Sequence, residues 1–161
     1  MITDLTEESL NHTFLLEEGV WKAAGEYFGE DNQKIRAQGW IRVHYQVDHW
    51  FVARNLTLEG TRNAELINHY YVQPGLISLG GALLWTGHDP VLGEMRGHYG
   101  LLKDTILCQF YSIDERYHGN ESLLQIDALH YKARGMLLDG WRKSSAWSLD
   151  LCRAEENECC E

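Results

Sequence analysis

The clearest pattern in the chain runs from residue 34 to 47, where polar and apolar positions alternate. Ile35, Ala37, Gly39, Ile41, Val43, Tyr45 and Val47 share one parity; Lys34, Arg36, Gln38, Trp40, Arg42, His44 and Gln46 share the other. A period of two held over fourteen residues is a half-buried strand, because the apolar positions of a helix recur every 3.6 residues. A strand of that length suits the strongly tilted wall of a barrel better than a compact sandwich.

Shorter segments of the same kind fill the rest of the chain. They predict strands at about 20–29, 50–59, 65–73, 76–86, 93–101, 105–113, 121–127, 129–138 and 141–152. Turn-forming residues separate them: Gly29–Asn32, Asp48-His49, Gly60–Asn63, Pro74-Gly75, Gly87–Pro90, Lys103-Asp104, Asp114–Asn120 and Asp139-Gly140. Asp139-Gly140 is the best short hairpin signal, and Gly80-Gly81 predicts a bulge or bend inside the fifth strand. Ahead of the strands, residues 3–17 read as a short helix with N-caps among Thr3, Asp4 and Thr6. Its apolar stripe is Leu10 and Phe14, extended by Leu5, and Gly19 ends it.

The connections are too short for crossover helices, so neighbouring strands should pair antiparallel. A meander of about ten twisted strands curls shut, and closure removes the exposed edges. The expected fold is therefore all-β: an up-and-down antiparallel barrel of about ten strands, capped at one mouth by the short helix. The strand at 141–152 should pair with the one beginning at Val20. Residues 1–153 form the single domain and 154–161 an acidic tail.

Composition narrows the function. The formal charge is −10 with 14 Lys and Arg and no basic cluster, which argues against a nucleic-acid partner. The opening MITDLTEESLNH has neither the basic nor the apolar region of a secretion signal, and no run is long enough to span a membrane as a helix. The four cysteines, at 108, 152, 159 and 160, have no C-x-x-C spacing and read as thiols in a reducing cytoplasm. Six Trp and eight Tyr fit strands and small-molecule pockets equally well.

Among candidate chemical groups, Arg54 stands out. It interrupts the apolar stripe Trp50-Val52-Leu56-Leu58, and an interior guanidinium needs an anionic partner. A bound anionic amphiphile would supply it, with Tyr45, Tyr70 or Tyr99 sharing the hydrogen bonds; an internal Asp or Glu would serve equally. Alternation makes Ile41, Val43, Tyr45, Tyr99 and Trp147 the binding wall around Arg54, although a one-residue slip inverts every such assignment. No metal site is expected. His44 and His49 fall on opposite faces, and His69, His98 and His130 lie on separate strands. Asp127 and His130 read as partners in a turn. There is no Ser-His-Asp order, phosphate loop or nucleophile elbow, so no residue is assigned to catalysis and no cofactor is named.

Gly19-Val20-Trp21, with Arg153 at the end of the last strand, resembles the calycin superfamily of lipocalins, fatty-acid-binding proteins and nitrobindin-like barrels. Gly25-x-Tyr27, after the entry through Leu15-Leu16, is most similar to the nitrobindin type. The resemblance implies that Trp21 and Arg153 close the barrel floor, the guanidinium stacking on the indole and bonding to nearby carbonyls. Two departures stand beside it. Fatty-acid-binding proteins insert a helical lid where this chain has only Gly29–Asn32. Nitrobindin-like haem barrels carry a ligand histidine in a segment similar to KSSAWSLDLCR, where this chain has Ser144, Ser145 and Trp147. The function implied is binding or carriage of a small apolar or amphipathic molecule in the lumen. A lumen enzyme (lyase, cyclase, isomerase or tetrapyrrole handler) is the alternative, and a packed barrel acting as a homodimer or interaction module is the third.

Overall fold

The structure, a computed structural model, describes residues 11–60, 64–73 and 82–155. Ten strands follow one another: β1 (Gly19–Phe28), β2 (Lys34–Tyr45), β3 (Trp50–Leu58), β4 (Ala64–Gln73), β5 (Ala82–Asp89), β6 (Gly93–Leu102), β7 (Thr105–Ser112), β8 (Tyr117–Asp127), β9 (His130–Asp139) and β10 (Arg142–Arg153). Each pairs with its neighbours in sequence, and β10 returns to β1, so the sheet is a closed up-and-down barrel. The closing ladder sets Trp21 opposite Arg153 and Phe28 opposite Ala146.

Several boundaries differ from the sequence reading for local reasons. β2 stops at Tyr45 because the Gln46 N–H turns back to the His49 carbonyl, 2.9 Å away. β8 begins within the expected loop: Ser112 Oγ accepts the Tyr117 N–H at 3.0 Å, and Arg116 forks onto the Asp139 carboxylate at 2.9 Å. β5 runs on through Gly87 and His88 to Asp89 instead of ending at 86; Gly80-Gly81 lies outside the described residues. The β9–β10 hairpin pairs Asp139 with Arg142, so its two turn residues are Gly140-Trp141, with Gly140 at φ +60°.

The larger correction concerns the chain entry. Residues 11–18 contain no α-helix and run as turns across one end of the barrel, Leu15 taking a left-handed φ of 72°; residues 3–10 of the expected helix lie outside the described residues. Tyr131 holds this segment. Its hydroxyl accepts the N–H of Thr13 at 3.1 Å and of Phe14 at 3.3 Å, and lies 2.9 Å from His12 Nδ1. Tyr45 donates to the Leu15 carbonyl at 2.9 Å. Phe14, Leu15, Trp21 and Tyr131 are all buried there, and Trp21 meets Phe14 and Tyr131 edge-on at 5.6 and 5.4 Å between centroids.

Arg153 does reach this floor, but its guanidinium lies against Gly19, where an added Cβ would come within 3.3 Å of it. It donates to the Glu17 carboxylate and, at 2.9 Å, to the Glu18 carbonyl. The bond to a nearby carbonyl is as the resemblance implies, the Glu17 carboxylate is an added partner, and the rings that pack the Trp21 indole are Phe14 and Tyr131.

Candidate functional site

Above the floor the barrel is hollow, and glycines keep it so. Trp85 lies opposite Gly97, Phe110 opposite Gly119, and Trp147 opposite Gly135 in the strand registers. A Cβ on those glycines would fall 2.4, 2.1 and 2.2 Å from the facing ring. Each ring therefore lies flat on the bare backbone of the next strand instead of projecting across the lumen. The space left free is a cavity of about 200 Å³ at the mouth away from the floor. Leu56, Leu66, Met95 and Leu137 make its apolar wall, and Arg54 and Asn68 its polar patch. A smaller space of about 40 Å³ lies deeper, among Ile41, Tyr99, Cys108 and Glu121.

Arg54 sits between these spaces. Its register partners on the neighbouring strands are Ile41 and Asn68, and Asn68 donates to Asp89. Glu121 faces Arg54 across the lumen, Nη1 to Oε2 being 3.5 Å, the outer limit of a hydrogen bond. Trp147 Nε1 donates to the same oxygen at 2.5 Å, and the guanidinium stands 5.6 Å from the Trp147 ring. The side chains of Arg54 and Glu121 are 14% and 13% exposed, so this is an ion pair largely withdrawn from water. Among the described residues four buried side-chain nitrogens lack an oxygen or nitrogen partner: Arg54 Nε and Trp85 Nε1 at the lumen, and His12 Nε2 and Trp21 Nε1 at the floor. The Cys108 sulfur beside the Trp85 indole is only a weak acceptor.

Burial by itself would push the Arg54 pKa down, but the charges that Tyr70 and Glu121 carry in the alkaline range where a guanidinium titrates more than offset this, so Arg54 stays charged. Burial raises the Tyr70 hydroxyl to about 12 and Tyr99 well above its usual value, so both are neutral at physiological pH. It pushes the Cys108 thiol up as well, leaving that cysteine unreactive.

The residues proposed from sequence separate into two groups. Arg54, Trp147, Ile41 and Tyr99 line the two interior spaces. Val43 and Tyr45 point inward but belong to the floor, Val43 in its core and Tyr45 stacked on Trp50 and bonded to Leu15. Arg54 meets an internal carboxylate, the second of the two partners the sequence allowed. Glu121 itself was missed because its strand starts at Tyr117, not 121, so its inward parity with Leu123 had no preceding alternation to show it. Trp85 was visible only as one aromatic among several.

Among the described residues no three His, Cys, Asp or Glu side chains are grouped to hold a metal, and no helix is long and apolar enough to cross a membrane. Fold and site together define a closed ten-stranded antiparallel barrel compatible with ligand binding and with the calycin architecture. No protein-family model and no curated protein matches the chain.

Proposed function

We propose that the lumen binds a small apolar molecule carrying one acidic group, the acid lying against Arg54 and the body against Leu56, Leu66, Met95 and Leu137. The observation that carries this reading is Arg54 Nε, a buried charged donor bordering the cavity that has no acceptor among the described residues. A buried polar group without a partner costs about 1–3 kcal/mol, more if charged, and a bound carboxylate removes that cost. Glu121 leaves room for it: one long contact engages a single nitrogen of a five-donor guanidinium.

Size narrows the ligand class. A dry cavity of about 150 Å³ takes benzene, so about 200 Å³ suits one substituted ring or a short branched chain. A tetrapyrrole or a long acyl chain exceeds it. The calycin resemblance points the same way in kind, towards carriage in the lumen.

Titration of tryptophan fluorescence tests the reading, since Trp85 and Trp147 border the cavity. Phenylacetate should bind about tenfold more tightly than phenylacetamide, the worth of one charge-assisted hydrogen bond. That preference should vanish in the Arg54→Met/Glu121→Gln double variant, which leaves neither charge buried alone. Equal affinity for acid and amide in the native protein, or a preference that survives in the double variant, would overturn the assignment.

A further inference from the structure

Arg54 is not the only polar side chain set into an apolar stripe of the lumen wall. The inward parity of β4 reads Leu66, Asn68, Tyr70 and Val72, and Asn68 interrupts it with an amide that is 7% exposed. The β3–β4 register sets Asn68 directly opposite Arg54, and both line the cavity. A buried amide in such a row is kept only where its hydrogen bonds are met.

Asp89 decides which way that amide faces. Its Oδ1 accepts the N–H groups of Val91 and Leu92 at 2.7 and 2.8 Å, which fixes the carboxylate at the β5–β6 turn. Its Oδ2 takes the Asn68 Nδ2 donor. A carboxylate only accepts, so the amide nitrogen has to stand on the β5 side. The amide oxygen leaves Cγ in the other direction, towards the cavity and the β3 side where Arg54 stands. The wall thus offers a cation and, beside it, a neutral acceptor of fixed orientation.

We infer that the lumen selects a hydroxy acid whose hydroxyl lies close to its carboxylate, a 2- or 3-hydroxy acid on an apolar ring or short branched chain. This rests on the reading of Arg54 as the acid anchor and adds Asn68 Oδ1 as the acceptor of the hydroxyl. Register partners on antiparallel strands have Cα atoms about 5 Å apart, so the two groups they hold belong on neighbouring atoms of one small molecule. A hydroxyl across a ring from the acid would miss Asn68. An ammonium there would be repelled by the Arg54 guanidinium, and the Asp89 carboxylate already serves three N–H donors. Acid, hydroxyl and apolar body engage three separate parts of the wall, which makes the site handed.

Tryptophan fluorescence titration of the full chain tests this with phenylacetate, 4-hydroxyphenylacetate and the two enantiomers of mandelate, which is phenylacetate with a 2-hydroxyl. One mandelate enantiomer should bind about fivefold more tightly than the other and than phenylacetate, as expected for one neutral hydrogen bond. 4-Hydroxyphenylacetate should gain nothing over phenylacetate. The enantiomers share charge, size and acidity, so their ratio reports the placed hydroxyl alone, and it should fall to one in Asn68→Leu. Equal binding of the enantiomers by the native chain, with its preference for phenylacetate over phenylacetamide intact, would overturn the hydroxyl site and leave the acid site standing. Loss of that acid preference would overturn both. An enantiomer ratio that survives in Asn68→Leu would overturn Asn68 as the acceptor, and tighter binding of phenylglycine than of mandelate would overturn the hydroxyl in favour of an ammonium.

Discussion

The two ends of the barrel are built from the same ten strands with the same alternation, yet one is solid and the other hollow. At the floor, Phe14, Leu15, Trp21, Tyr131, Leu123, Leu151 and Ile106 are each 3% exposed or less. The entry segment fills the closing ring there, the backbone N–H groups of Thr13 and Phe14 both donating to one tyrosine hydroxyl. At the mouth, rings as large as those of the floor lie flat over Gly97, Gly119 and Gly135 and leave the axis empty. A strand pattern therefore says that a residue points inward but not whether the space there is filled. Filling depends on what lies across the lumen and on whether a glycine next door lets a ring lie down.

Breaking the solid end should cost most. Trp21→Ala removes a fully buried indole packed by two other rings, and the expected loss is about 4 kcal/mol in urea denaturation. A loss below about 1 kcal/mol would show that the floor is not the mechanical base of the fold.

Filling the hollow end should cost less but abolish binding. In Gly135→Ala the new Cβ needs the space of Trp147 Cζ2, forcing the indole off the wall and into the cavity. Overpacking of this kind costs about 2 kcal/mol, and phenylacetate should no longer quench fluorescence. Gly100→Ala is the matched control, because no described residue lies within 4 Å of its added Cβ; it should leave both properties unchanged.

The smallest effect separates the ends by pH. His12, buried under the floor, has its pKa lowered chiefly by desolvation, against the raising influence of the Lys103 backbone and Asp104. The unfolded chain therefore binds the proton more readily than the folded one. The floor's contribution is complete above the unfolded value of about 6.5 and is lost as pH falls through the lower folded value. Melting temperature should drop on acidification from neutral towards pH 5, and His12→Gln should flatten that drop. An identical profile in the variant would place the acid sensitivity elsewhere.

How much of this was readable beforehand follows from how local each feature is. The strands and the inward parity of Arg54 need only nearest neighbours along the chain, and closure follows from their number and the shortness of the connections. The pairing of Asp127 with His130 was legible for the same reason, being a turn. Asn68 meets Asp89 only through the β4–β5 pairing, and Glu121 meets Arg54 only across the lumen, 67 residues away in sequence. The entry segment looked helical because acids and caps precede its apolar residues. Tyr131, far along the chain, instead satisfies its backbone in turns.

The sequence by itself determined an all-β chain, its strand order and the inward face of its longest alternating strands, β2 and β3, because a pleat of period two and short connections leave little choice there. The tertiary structure decided which inward groups meet and where the lumen stays open. Those depend on the tilt and stagger at which ten strands close, and that is a property of the whole ring.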